Sequence, residues 1–204
     1  MKRGSLAGIG ALAFAVLPIV GLIVANDPGG TYKASDVADY VKSGHRPLVF
    51  LGLYLTGLGV AGLIPMLARL REAIADETRA RVFWGLGIAA AAAFVAGLAL
   101  TASVPVAMGY GGKGVVIAPA VTFTLSEAGW VVAAGAGGIL LGCALFTFAL
   151  AVPAWLRWST LGAGVAAFAG AAWFPLALVI VWSLATGVWL LVANRAPAAS
   201  PVTA

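Results

Sequence analysis

Long apolar segments separated by short polar loops fill most of the 204-residue chain. A helix that crosses a bilayer needs roughly 20 apolar residues, because the hydrocarbon core is about 30 Å thick. Four segments of suitable length come first, at 4–25, 47–68, 85–107 and 128–152. The apolar stretch 158–194 would form a helix of about 55 Å, too long for one crossing. We expect two helices there, 158–173 and 175–194, with a reversal at residues 173–175, because the residue before a proline avoids helical angles.

The first apolar segment has a second interpretation, because it follows two basic residues at the start of the chain. A secretory signal peptide also has a basic start, and Ile23-Val24-Ala25 resembles a cleavage site. The apolar stretch is longer than the roughly 7–15 residues of a signal peptide. We therefore predict a retained first span.

The distribution of basic residues predicts the topology. With a cytoplasmic N-terminus, eight of the twelve basic residues lie inside: Lys2, Arg3, Arg69, Arg71, Arg79, Arg81, Arg157 and Arg195. Four lie outside: Lys33, Lys42, Arg46 and Lys113. The positive-inside rule favours this arrangement. The sequence thus predicts an all-α polytopic membrane protein, a six-helix transmembrane bundle over 1–195 with both termini cytoplasmic and a tail at 196–204.

Composition agrees with a membrane protein and excludes several kinds of chemistry. Hydrophobic residues make up 62% of the chain and charged residues 9%, against about 25% charged in soluble domains. The net charge of +5 is not gathered into a basic cluster, so nucleic acid is not an expected partner. The chain has one cysteine, Cys143, and one histidine, His45. These are too few for an intrachain disulfide, a bis-histidine haem or an ordinary zinc site. We predict no cofactor and no metal.

The glycine-rich segment 108–114 reads MGYGGKG and resembles two functional loops. A phosphate-binding loop needs Ser or Thr after its lysine, but Gly114 follows Lys113. A potassium filter also needs a re-entrant helix and a four-fold pore, and only residues 109–111 match its motif. We predict a flexible external turn.

The polar loop after the first span contains candidate site residues. We expect Ser35 to cap a helix over 36–43 that stops at Gly44. Asp36 and Asp39 would then share one helix face.

His45 and Arg46 follow that helix directly. Together with the two aspartates they suggest a metal or ligand rim at the outer surface. The alternative, which we favour, is a solvated lid, because two carboxylates and one imidazole are too few for a tight transition-metal site. Glu127, at the predicted start of the fourth span, is explained by the helix dipole.

The last span contains four aromatic and hydroxyl residues at helical spacing: Trp182, Ser183, Thr186 and Trp189. They would either line a cavity for an apolar ligand or pack between helices. In the second case, which is more common, each hydroxyl bonds a carbonyl one turn back.

Small residues recur along the spans and predict close helix packing. Glycine or alanine steps of four residues occur at Gly4 and Gly8, at Gly138 and Gly142, and through Gly162, Ala166 and Gly170. Helices in lipid associate through such small residues. Ionisable residues are absent from the predicted span interiors, which weighs against a proton-driven transporter.

Residues 151–191 resemble the C-terminal part of a large group of uncharacterised bacterial membrane proteins. In that group a Leu-Pro-x-Trp-Leu-x-Trp turn precedes a Gly/Ala-rich span and a final span with tryptophan. Four residues here match the turn: Pro153, Trp155, Leu156 and Trp158. Val152 replaces the leucine. The resemblance implies six spans and no established activity, and the alanine and arginine content is typical of an actinobacterium.

The expected function is that of a non-enzymatic protein in a bacterial cytoplasmic membrane. It would be an accessory subunit or a binder of lipid-like molecules, with the bilayer and a second membrane subunit or copy as partners. A passive channel is an alternative and would need a polar path past Thr56, Thr101, Ser103 and Ser183. A membrane-embedded enzyme is another, and would need Asp36, Asp39 and His45 to converge within about 3–4 Å.

Overall fold

The computed structural model describes residues 3–111, 114, 116–152, 154–170 and 176–193. All the regular secondary structure in these residues is helical, and they include no β-strand. The helices are α1 (Arg3–Ala25), α2 (Ala34–Val41), α3 (Arg46–Arg71), α4 (Glu77–Thr101), α5 (Ser103–Tyr110), α6 (Pro119–Trp130), α7 (Gly138–Ala149), α8 (Ala154–Phe168) and α9 (Leu176–Ala193). A π-helical segment, Val131–Gly137, joins α6 to α7 without a break.

Four of these helical stretches are long and apolar enough to cross a membrane: Gly4–Ala25, Arg46–Arg71, Glu77–Thr101 and Pro119–Ala149. A shorter apolar helix covers Ala177–Val192. The chain is therefore an all-α protein with the helices of a membrane protein.

Several helix ends differ from the predicted spans. The third span, expected to reach residue 107, divides at Ala102 into α4 and α5. The helix of the fourth span begins at Pro119 rather than 128, since proline suits the first turn of a helix. The stretch 158–194 contains two helices, as expected, but the reversal at 173–175 lies outside the described residues.

A close antiparallel contact joins α1 to α3. Gly21 lies against Gly52, and a Cβ added at Gly21 would lie 2.6 Å from the Gly52 carbonyl oxygen and 3.0 Å from the Thr56 nitrogen. A Cβ added at Gly52 would lie 2.7 Å from the Cβ of Ala25. Because backbone cannot move aside at such distances, only glycine fits at both positions.

The contact between α4 and α6 is built in the same way. A Cβ added at Gly97 would lie 2.7 Å from both the Cβ and the nitrogen of Ala133, and one at Gly129 would lie 2.7 Å from the Thr101 nitrogen. Each contact glycine begins a similar pentapeptide that ends in Ala or Thr. The first pair of helices has GLIVA (21–25) and GLYLT (52–56), and the second pair has GLALT (97–101) and GWVVA (129–133). In each pair, the segment that connects the two long helices contains one eight-residue helix, α2 or α5. We call residues 3–71 hairpin A and residues 77–149 hairpin B.

Other predicted small-residue steps also mediate packing. Gly138 lies against Ala167, and a Cβ at Gly142 would lie 2.7 Å from the Gly164 carbonyl oxygen, so α7 and α8 are in close contact. Gly8 of α1 lies beside Leu191 of α9. Gly162 was wrongly expected to continue the pattern, since a Cβ there would meet nothing within 4 Å.

The two ends of the bundle differ in character. The cap end carries residues 26–45 and 102–111, and the arginine end carries Arg69, Arg71, Arg79 and Arg81. Six large, fully buried side chains pack towards the arginine end: Leu63, Met66, Leu67, Phe83, Leu145 and Phe148. The rings of Phe83 and Phe148 stand 5.5 Å apart between centroids. Hairpins A and B are thus joined by a dense apolar core at the arginine end.

The glycine contacts give the first prediction. We expect Gly129→Ala to reduce the free energy of unfolding by about 1–3 kcal/mol, a typical cost of overpacking, because the new methyl would lie 2.5 Å from the Gly97 carbonyl oxygen. The Tm in mild detergent measures the change.

Gly57→Ala is the matched control, because its added Cβ meets nothing within 4 Å. Its Tm should equal or slightly exceed the wild-type value, since alanine favours helix over glycine by up to about 1 kcal/mol. Equal losses of Tm in both variants would contradict the proposed contact.

Candidate functional site

A partly enclosed apolar cavity of about 170 Å³ lies between hairpins A and B. Helices α1 and α3 form one wall, and α4, α6 and the π-helical segment form the opposite wall. Those walls include Phe14, Ala15, Pro18, Ile19, Leu22, Thr56, Val60, Phe94, Leu98, Thr101, Trp130, Ala133 and Ala134. Gly138, Leu141, Ala167, Val179 and Ile180 complete the lining.

Each hairpin lines this cavity at the same offsets from the contact glycine of its first long helix. Pro18 and Phe94 each precede the first contact glycine of their hairpin by three residues, and Leu22 and Leu98 each follow it by one. The rings of Phe14 and Phe94 face each other with 6.2 Å between centroids. The cavity therefore lies at the junction of two similarly built halves, where ligand sites of membrane proteins with internal repeats are often found.

The π-helical segment lies in the cavity wall. Its residues Ala133 and Ala134 line the space, and it starts directly after Trp130. Such segments are rare within α-helices and frequently occur at functional sites. This one widens the helix where the bundle leaves room for a ligand.

Asp27 connects the end of α1 to α6 at the cap end of the cavity. Its carboxylate accepts hydrogen bonds from the Ser126 hydroxyl, at 2.7 and 2.8 Å to the two oxygens, and from Trp130 Nε1 at 2.7 Å. Burial raises the pKa of Asp27 above its ordinary value of 3.8, and the nearby charge of Glu127 adds to that rise. The two hydrogen bonds act in the opposite direction.

Three further hydrogen bonds join hairpin A to hairpin B at the cap end. The Gly30 amide donates to Glu127 Oε1 at 3.2 Å, the Tyr40 hydroxyl to the Thr101 carbonyl at 3.4 Å, and Arg46 Nη1 to the Met108 carbonyl at 2.8 Å. We call these bonds, together with those of Asp27, the polar clasp. Burial, and secondarily the charge of Asp27, raises the pKa of Tyr40, so its hydroxyl stays protonated.

The predicted rim residues of the loop between α1 and α3 bond to separate partners. Asp36 pairs with Lys33 at 3.9 Å, and Asp39 pairs with Lys42, all on exposed side chains. His45 Nε2 lies 2.8 Å from the Ala25 carbonyl oxygen. The part of the chain that the structure describes contains no group of three His, Cys, Asp or Glu residues able to hold a metal.

Two local explanations from the sequence were wrong. Helix α2 begins at Ala34 with Lys33 as its N-cap, and the Ser35 hydroxyl donates to Asp36 at 3.1 Å instead of capping. Glu127 lies in the third turn of α6, because that helix begins at Pro119, so the helix dipole does not account for it.

The candidate residues of the last span do not line the cavity between the hairpins. Trp182, Thr186 and Trp189 line a separate, partly enclosed pocket of about 290 Å³ between α8 and α9, and Trp182 Nε1 donates to Thr160 Oγ1 at 3.2 Å. Ser183 is fully buried and does not line this pocket. The expected carbonyl bonds are not formed, because the hydroxyls of Ser183 and Thr186 have no hydrogen-bond partner.

The glycine-rich segment 108–114 is partly helical. Met108, Gly109 and Tyr110 complete α5, so the predicted turn begins only at Gly111, and Lys113 lies outside the described residues.

Sequence reasoning missed Asp27, Tyr40 and Trp130 as parts of one site. Two signals were present: an aspartate directly after the first span, and the similar pentapeptides at 52–56 and 97–101. Neither signal reveals that the loop folds back onto α6.

No protein-family model, curated protein or solved structure matches this chain.

The raised pKa of Asp27 gives the second prediction. A carboxyl group with a raised folded-state pKa destabilises the fold as pH rises from its unfolded pKa through its folded pKa. The Tm of the wild type should therefore fall, relative to Asp27→Asn, as pH increases above about 4, near the ordinary pKa of aspartate. The amide keeps an oxygen that accepts from Trp130 but carries no charge.

Asp36→Asn, on the exposed surface of α2, serves as the control and should keep the wild-type pH profile. Parallel profiles for the wild type and Asp27→Asn would show that burial of this carboxyl has no energetic effect.

Proposed function

We propose that this chain is a non-enzymatic, polytopic protein of a bacterial cytoplasmic membrane that binds the apolar part of a lipid-like molecule. The observation that carries the proposal is the cavity between hairpins A and B. Its wall is almost wholly apolar, with Thr56, Thr101 and Trp130 as the exceptions. Ligand sites commonly combine a mainly apolar lining with a few placed polar groups.

The size of the cavity limits what it holds. An engineered apolar cavity of about 150 Å³ in another protein stays dry and binds benzene. A space of about 170 Å³ therefore accommodates one ring or a short piece of hydrocarbon chain. A larger ligand would place this part in the cavity and extend the rest through the open side.

A six-crossing topology with both ends on one side is part of this proposal. Gly8 of α1 lies beside Leu191 of α9, so the beginning and the end of the described helices are neighbours. This arrangement favours an even number of crossings. The basic residues of the arginine end favour its placement in the cytoplasm.

The packed arginine end weighs against a passive channel. Phe83, Phe148 and Leu67 are fully buried there, and Ser103 donates to the Leu100 carbonyl instead of lining a path. An enzyme at the outer surface would need the side chains of Asp36, Asp39 and His45 to converge on one point. Instead, each of them bonds to a different group: Lys33, Lys42 and the Ala25 carbonyl. A role as an accessory subunit, with another protein or a second copy, stays a prediction.

The test is to fill the cavity and identify what is purified with the protein. Ala134 lines the cavity and is 4% exposed. We expect the wild type, extracted in mild detergent, to retain an apolar molecule near a one-to-one ratio by native mass spectrometry. Ala134→Leu should reduce that occupancy by about tenfold, equivalent to about 1.4 kcal/mol.

Ala96→Leu adds the same side chain on the exposed surface of α4 and should leave the occupancy unchanged. Ala15→Leu fills the same cavity from the α1 wall and should repeat the loss. If all three variants retain the molecule as the wild type does, it binds elsewhere and the proposal fails.

A further inference from the structure

The carboxylate of Asp27 has more capacity to accept hydrogen bonds than its neighbours use. A carboxylate offers about four acceptor positions. Ser126 contributes one hydroxyl hydrogen and Trp130 one indole hydrogen. Asp27 is half-buried, and an anion partly withdrawn from water is stabilised by a cation or by further donors. Its remaining acceptor positions are therefore open to a further donor.

No cationic side chain of the described cap compensates the charge of Asp27. Lys33 and Lys42 pair with the aspartates of α2. The Arg46 guanidinium donates to the carbonyls of Val41 and Met108.

The charge that acts on Asp27 from its surroundings is negative. His45 contacts the Ala25 carbonyl through Nε2. Tyr40, from α2, stays protonated, and the charge from α6 that acts on Asp27 is that of Glu127, another carboxylate.

This negative site adjoins the polar end of the cavity. Trp130 both lines the cavity and donates to Asp27. Thr101, which also lines it, offers its carbonyl to Tyr40 on the cap side. An amphiphile with its apolar part beside Phe14 and Phe94 would thus present its polar group at the level of Trp130 and Asp27.

We infer that the ligand of the cavity carries a cationic, amine-type headgroup, which binds at the Asp27 carboxylate beside the Trp130 indole. The inference rests on the proposed function and adds the class of headgroup to it. An ammonium group would supply further hydrogen-bond donors to the Asp27 carboxylate, and its positive charge would offset the negative charge there. An anionic headgroup would meet the repulsion of two carboxylates, Asp27 and Glu127.

The experiment compares three probes with the same tail: dodecylamine, dodecanol and dodecanoate. Binding to the full chain in phosphatidylcholine nanodiscs is measured at neutral pH. We expect the amine to bind about tenfold more tightly than the alcohol, a difference of about 1.4 kcal/mol, and the carboxylate to bind most weakly. Asp27→Asn should bring the ratio of amine to alcohol affinity close to one. Asp36→Asn should leave that ratio at its wild-type value.

A pH series on the wild type tests the same inference without any variant. The amine stays protonated at neutral and acidic pH, as a lysine side chain does. The amine should therefore lose its higher affinity, relative to the alcohol, as pH falls through the pKa of Asp27 and the carboxyl becomes neutral.

The outcomes separate this inference from the proposed function. Equal affinities for amine and alcohol in the wild type, or a preference that survives in Asp27→Asn, would overturn the headgroup assignment alone, provided that Ala134→Leu still weakens the alcohol. Absence of binding by all three probes would overturn both.

Discussion

Helices surrounded by lipid gain little from burying apolar side chains against one another, so they are held where backbones approach closely at small residues. In this chain two such approaches have the same design, Gly21 against Gly52 and Gly97 against Gly129. Each fixes an antiparallel pair of long helices near its cap end. The cavity exists because these two rigid pairs meet there through larger rings, such as Phe14 and Phe94, instead of through glycine.

The two ends of the bundle have different connections between the hairpins, and this determines where a ligand would enter. Apolar packing around Phe83 and Phe148 closes the arginine end. At the cap end the connection is smaller: it consists of the hydrogen bonds of the polar clasp, the ring contact between Tyr32 and Phe123, and the buried side chain of Val37 on α2. Local opening is least costly where few apolar contacts are lost. We therefore expect access to the cavity from the cap end.

The long apolar helices could be predicted from the sequence, because span length and apolar composition are local properties. The start of α6 at Pro119 was missed, since its first turns contain Thr122, Thr124 and Ser126 and look like a polar loop. The site was also missed. Asp27 appears in the sequence as an ordinary loop residue, and only the folding of the loop onto α6 partly buries it beside Trp130. Such tertiary pairing leaves no periodic signal in a single chain.

The central claim is that an apolar group occupies the space between the two hairpins. A cryo-EM reconstruction of the protein, extracted from its membrane in a polymer disc, tests it most directly. We expect continuous non-protein density bounded by Phe14, Phe94 and Trp130, with its polar end beside Asp27. A reconstruction in which side chains from α1 and α4 close together and fill this space would contradict it.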